Sequence, residues 1–99
     1  MPDTFPLSAA KAADLAACHR ALGDPVRLRI LSVILAAENQ ESCVNEVAAH
    51  FDLTQPTVSH HLKVLHEAKL VNRERRGNWI YYSAAPNIAA MVTRFLPAI

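Results

Sequence analysis

Thr54-Gln55-Pro56-Thr57-Val58-Ser59-His60-His61-Leu62-Lys63-Val64-Leu65 reads as a helix with two unlike flanks. Thr54 offers a side-chain oxygen as N-cap, and Pro56 is tolerated because the first helical turn has no intrahelical N–H bond to lose. Val58, Leu62 and Leu65 recur at helical spacing as an inward stripe, with His61 beside them as a packed, hydrogen-bonded histidine. Gln55, Ser59 and Lys63 fall at i, i+4 and i+8 on the opposite side, flanked by Pro56, Thr57 and His60. That side is small and polar.

Upstream, Asp52-Leu53 reads as a tight turn. Before it a short helix is expected from Cys43 to about Phe51, capped by Ser42, with Val44, Val47, Ala48 and Phe51 on one face. Helix, short turn and second helix over about 43–66 is the sequence form of a helix-turn-helix. Downstream the period changes from 3.6 to 2. Leu70 to Arg75 and Trp79 to Ser83 read as two strands, with Arg76-Gly77-Asn78 supplying the turn, a basic hairpin over about 70–83. A basic hairpin directly after a helix-turn-helix is a wing.

Three further helices complete the reading. The first covers about 8–22, with Leu15, Cys18, His19 and Leu22 as its apolar stripe, and Gly23 stops it. Asp24 and Pro25 have the chemistry of an N-cap and first helical residue, so the second runs from Pro25 to about Ala37. Its Leu28, Leu31 and Leu35 form one face, widened by Ile30 and Ile34; Glu38 to Glu41 is a polar loop. Pro86 opens a last helix, about 86–97, with Ile88, Met91, Val92, Phe95 and Leu96 as its stripe. The expected fold is mainly α with a β-hairpin wing, a winged helix-turn-helix in the order α-α-α-α-β-β-α, as one domain over 1–99.

Composition agrees and excludes other classes. At 99 residues, 52% hydrophobic and 19% charged, the chain holds one packed core. Its longest apolar stretches are far below the ~18 residues of a membrane span, so no membrane partner is expected. Met1 to Pro6 has neither a basic leader nor an apolar run, so no secretory signal is read and the cytoplasm is the expected location. No nucleophile–base pair or phosphate loop is present, so no enzyme is expected. Residues 54–77 hold five basic residues (Lys63, Lys69, Arg73, Arg75, Arg76) against Glu67 and Glu74, whereas the rest of the chain is mildly acidic. One basic face on an acidic body is the footprint of a protein that approaches phosphates from one side.

Three stretches together resemble the ArsR/SmtB family of arsenic- and metal-responsive bacterial repressors. They are Ala21-Leu22-Gly23-Asp24-Pro25-Val26-Arg27-Leu28-Arg29-Ile30-Leu31, then Thr54 to Leu65 as quoted, then Arg75-Arg76-Gly77-Asn78-Trp79-Ile80-Tyr81-Tyr82. The resemblance covers roughly 8–96. It implies a homodimeric winged-helix transcriptional repressor on a palindromic double-stranded DNA operator, released by an inducer or by thiol modification. Gln55 can contact adenine in two places, Thr57 and Ser59 can meet either base type, and His60 can donate or accept. Pro56 lies among them. Lys63, Arg73, Arg75 and Arg76 suit phosphate and therefore positioning. Asn78 stands where the family often has a basic residue, and Trp79 and Tyr81 are expected to pack within the hairpin. A winged helix used for protein interaction is the alternative; it would need an exposed apolar patch on the fourth helix or wing.

The last helix is more apolar than one small monomer needs. A homodimer through the first and last helices is therefore expected, with Leu15, Ile88, Met91, Val92 and Phe95 at the interface. The sensed signal is less legible. The family's metal site on the last helix takes Asp, His and Glu, and the sequence has none of these, nor Cys, after Glu74. The family's other site is a Cys-Val-Cys run on the third helix; here Cys43-Val44-Asn45 keeps one thiol, and Ala48 stands where a third cysteine can occur. Thiophilic ions such as As(III) or Cd(II) favour several thiolates. Cys18 of the other subunit is the candidate to join Cys43, though its place in an apolar stripe suits an inert buried thiol. Cys43 at a helix N-terminus is the candidate for metalloid or redox sensing; a repressor of this type with no metal site is the other possibility.

Overall fold

The computed structural model describes residues 5–86 and residue 88. Local chemistry sets the helix starts. Ser8 Oγ accepts from the Lys11 amide at 3.1 Å and begins α1, Ala9–Leu22, while the Gly23 amide closes it onto the Arg20 carbonyl. Asp24 Oδ1 accepts from the Val26 and Arg27 amides at 2.8 and 3.2 Å and starts α2, Pro25–Ala36. The Arg27 amide bond is the main cause that holds the Asp24 carboxyl below its ordinary pKa. Arg27 also donates from Nε to the Ala21 carbonyl at 2.7 Å, tying the two helices at their corner.

The buried face of α2 is Ile30, Leu31 and Ile34, each without exposure; Leu28 points outward and Leu35 is half-buried. The core face is thus rotated from the leucine stripe, because α3, α4 and the sheet cover the isoleucine side. In α1 only Ala21 is buried. Cys18 and Leu22 lean on the core, whereas Leu15 is 46% exposed and His19 is exposed.

Glu38–Gln40 form a 3-10 turn, and Glu41–Cys43 form a strand, β1, where a loop and a helix start were expected. Ser42 is accordingly no helix cap; it is buried in β1 opposite Tyr82. Cys43 takes the cap position of α3, Val44–Ala48, because Glu46 sits three residues on and its Oε1 accepts from the Cys43 amide at 2.9 Å. The helix is also shorter than the expected span to Phe51.

After the turn comes α4, Gln55–Glu67, capped by Thr54 as expected. It ends with Lys69 at φ 64°, the Leu70 amide bonded to the Leu65 carbonyl and the Lys69 amide to that of His66. This is a Schellman stop built without glycine, and it aims the chain into β2, Val71–Arg76. The strand returns as β3, Trp79–Ala84, through Gly77 at φ 62° and Asn78. Positive φ at the first turn position suits glycine and matches the hand of a tight hairpin. The sheet is antiparallel in the order β1-β3-β2. Its inner face joins Val71 and Tyr82 to the helical core of Val47, Val58, Leu62, Leu65 and Leu70. This is the winged helix-turn-helix expected from the sequence, with a third strand added. Of the expected last helix only Pro86 and Ile88 are described, and Met91, Val92 and Phe95 lie outside the described residues. Ile88 is 6% exposed and packs into its own chain's core.

Candidate nucleic-acid interface

Burying Val58, Leu62 and Leu65 forces the other flank of α4 outward. Gln55, Pro56, Thr57, His60 and Lys63 are exposed and Ser59 is half-buried, so most of that flank is open among the described residues. His61, beside the inner stripe, is half-buried with Nδ1 at 3.4 Å from Arg27 Nη1, the packed histidine expected.

The wing supplies a second wall. In β2 alternate residues share a face, so Arg73 and Arg75 stand on the side of Val71, opposite Tyr82 and Ile80 of β3. Ser59, Lys63, His66 and Glu67 of α4 line one groove of about 320 Å³ with Arg73 and Tyr82. His66, Arg73, Arg75 and Ile80 line its neighbour of about 350 Å³. Ser59, Lys63 and His66 of α4 and two arginines of the wing therefore line two grooves that share His66 and Arg73. His66 was missed as a candidate, although it lies seven residues after Ser59 and so on the same flank.

Arg76 does not join them. Its position in β2 puts it on the opposite face, where Nη1 and Nη2 donate to Glu41 at 2.8 Å each and Nε donates to Glu74 at 2.6 Å. Its guanidinium also stacks 4.6 Å from the Tyr81 ring centre. The hydrogen bond from Arg76 holds the Glu41 carboxyl below its usual pKa, and the bonds to Glu41 and then Glu74 hold Arg76 above its own. Two carboxylates already neutralise this cation. Arg76 fastens the wing to β1 through Glu41.

Two other placements differ from expectation. Gln55 is tethered, with Nε2 donating to Asn45 Oδ1 of α3. Trp79, expected to pack within the hairpin, is 52% exposed at the wing end. It borders a cavity of about 280 Å³ with Cys43, Asn45, Gln55, Asn78 and Ile80.

The metal question can be put to the donors present. Among the described residues no three His, Cys, Asp or Glu side chains lie together. Cys43 offers one thiol, is 6% exposed, and caps a five-residue helix whose first turn already carries Glu46. Cys18 is half-buried on α1, and burial pushes its thiol pKa up. The donor set within one chain does not fit a thiophilic metalloid. Among the described residues no helix is long and apolar enough to cross a membrane.

Residues 24–73, from the Asp24 cap through the polar flank of α4 to Arg73, match the model of the bacterial regulatory proteins of the arsR family. The chain belongs to the arsR family. Over 64 residues it is 34% identical to the transcriptional repressor SdpR of Bacillus subtilis, covering 65% of this chain and 68% of that protein. The arsenical resistance operon repressor of Escherichia coli is 35% identical over 75 residues, 76% of this chain and 62% of the relative. Among solved structures, the homodimeric winged helix-turn-helix DNA-binding domain of a Mycobacterium bovis protein superposes with TM-score 0.81 at 27% identity. It covers 90% of this chain and 81% of that one. These arsR-family relatives are transcriptional regulators and not enzymes, in accord with the sequence reading.

Proposed function

We propose that two copies of this arsR-family chain pair to form a repressor that reads a palindromic duplex operator, one α4 in each half-site, in the cytoplasm. The observation that carries this reading is the pair of grooves. The Ser59, Lys63 and His66 side of α4 and the Arg73–Arg75 face of the wing line two grooves that share His66 and Arg73, while the other flank of α4 is covered by core. The width of α4 suits the major groove, with Gln55, Thr57, Ser59 and His60 toward base edges and Pro56 among them. Lys63, Arg73 and Arg75 neutralise phosphate, with His66 beside them. Pairing is supported by the exposed Leu7, Leu15 and Leu28 and by the homodimeric M. bovis domain. A two-fold axis would set the recognition helices about 34 Å apart. The protein-interaction alternative lacks its apolar patch on α4, whose flank is polar.

The test is selection of duplexes from a randomised pool, followed by affinity against salt concentration. Lys63→Ala, Arg73→Ala and Arg75→Ala each weaken all duplexes alike and lower the slope of log K against log salt by about one. Arg76→Ala leaves that slope in place. Failure of the wild-type protein to enrich any duplex ends the proposal, and a slope change with Arg76→Ala alone reverses the assignment of the wing.

Release is assigned to modification of the Cys43 thiol, because Cys43 lines the same cavity as Asn45 and Gln55. A group added to its sulfur would crowd the start of α4. Cys43→Ser then binds the operator as wild type does but no longer releases it on treatment with peroxide. Equal release by both proteins removes Cys43 from the account.

A further inference from the structure

We infer that Asn45, a residue outside the recognition helix, is a positioning residue that sets the base preference of Gln55. The inference rests on the DNA reading above and deepens it. Gln55 is the first residue of α4, and side chains of a helix lean toward its N-terminus. Gln55 therefore reaches back toward α3, where Asn45 Oδ1 accepts from its Nε2. Asn45 stands in the first turn of α3, held there by the Cys43–Glu46 cap.

An exposed glutamine alone is a poor reader. It has three side-chain torsions to fix, and its carboxamide can turn over, exchanging an acceptor for two donors. With both N–H groups free, Nε2 can donate to N7 and O6 of guanine, whereas one N–H together with Oε1 meets the acceptor N7 and donor N6 of adenine. The bond to Asn45 uses one of the two N–H groups of Gln55 and leaves one N–H with Oε1, the pair adenine requires. It also anchors Nε2 on the α3 side, so Oε1 faces away from α3. Where guanine stood in that register, two acceptors would meet. Asn45 thereby makes the choice between adenine and guanine that Gln55 by itself would not hold. The tether also fixes the carboxamide before DNA arrives, which lowers the ordering cost on binding.

The experiment is selection from a randomised duplex pool with wild type, Asn45→Ala, Asn45→Asp, Gln55→Ala and the Asn45→Ala/Gln55→Ala double variant, alongside thermal melting of each protein. Asn45→Ala is expected to cut the adenine-over-guanine preference at one position per half-site by about three- to tenfold, a part of what one good base contact contributes. Its melting midpoint and salt slope stay those of wild type. Asn45→Asp keeps the acceptor, so it retains the preference while its added charge lowers affinity for every duplex. The double variant matches Gln55→Ala alone. Wild-type preference in Asn45→Ala, or equal loss in Asn45→Asp, overturns the inference and leaves the DNA reading standing. A wild-type protein that selects no duplex removes both.

Discussion

Replacing Leu62 by alanine lowers the free energy of unfolding by about 3 kcal/mol, within the range of about 2–5 kcal/mol found for leucine truncation in closed cores. Leu62 is wholly buried in the inner stripe of α4, between Val58 and Leu65, in one cluster with Ile30, Leu31, Ile34 and Val47. Those neighbours come from α2 and α3, so no single mobile segment can collapse into the space left behind. The loss combines the transfer of the removed atoms with the cavity they leave. A domain of this size has about 5–15 kcal/mol in all, so the change consumes a large share of it. It also reaches function. A helix of 13 residues is marginal in water by itself, so α4 exists as a rod only because its inner stripe is covered. The check is urea unfolding at one fixed protein concentration, with Leu53→Ala as control. Leu53 is 37% exposed in the preceding turn, and its truncation costs less than about 1 kcal/mol. A loss of under about 1 kcal/mol for Leu62→Ala would mean that the covered flank of α4 has been misassigned.

What the sequence made legible was local. Asp24-Pro25 and Thr54-Gln55-Pro56 announce helix starts through side-chain oxygens and fixed φ, and the structure places both caps there. The Val58, Leu62 and Leu65 stripe and the Gly77-Asn78 turn are equally self-contained. What depended on distant partners was not legible. β1 has three residues and no room to show alternation, and its partner, Tyr81 to Ser83, lies some forty positions on. Ser42 has the chemistry of a cap, but Glu46 stands in the reciprocal position for Cys43, and that spacing was the signal overlooked. The wing arginines illustrate the same division. Net charge groups Arg73, Arg75 and Arg76 together, whereas a period of two separates the first pair from the third. Only the fold shows that Glu41 waits on the third one's face. The tether from Gln55 to Asn45 spans two helices and a turn, and no pattern in either helix announces it.

Ser59→Glu abolishes operator binding, by about a hundredfold or more, in a protein that melts no lower than wild type. The fold tolerates the change because glutamate is a good helix former and the site is on the open flank. A carboxylate four residues before Lys63 also makes the favourable helical pair, adding a few tenths of a kcal/mol. The damage falls on the groove. Ser59, Lys63 and Arg73 border the same space, so the introduced carboxylate pairs inward with both cations and removes them from phosphate. Each lost phosphate contact lowers the salt slope by about one. The small hydroxyl that could approach a base edge is lost as well, at about 1–3 kcal/mol for a good contact. Loss of about 2.8 kcal/mol suffices for the hundredfold change, and these effects act in the same direction. Mobility shift with selected duplex, read beside the melting curve, separates the outcomes. Lost binding with intact melting places the duplex against the α4–wing groove. Undiminished binding would place it on some other surface, and Lys63, Arg73 and Arg75 would then be ordinary solvated charges.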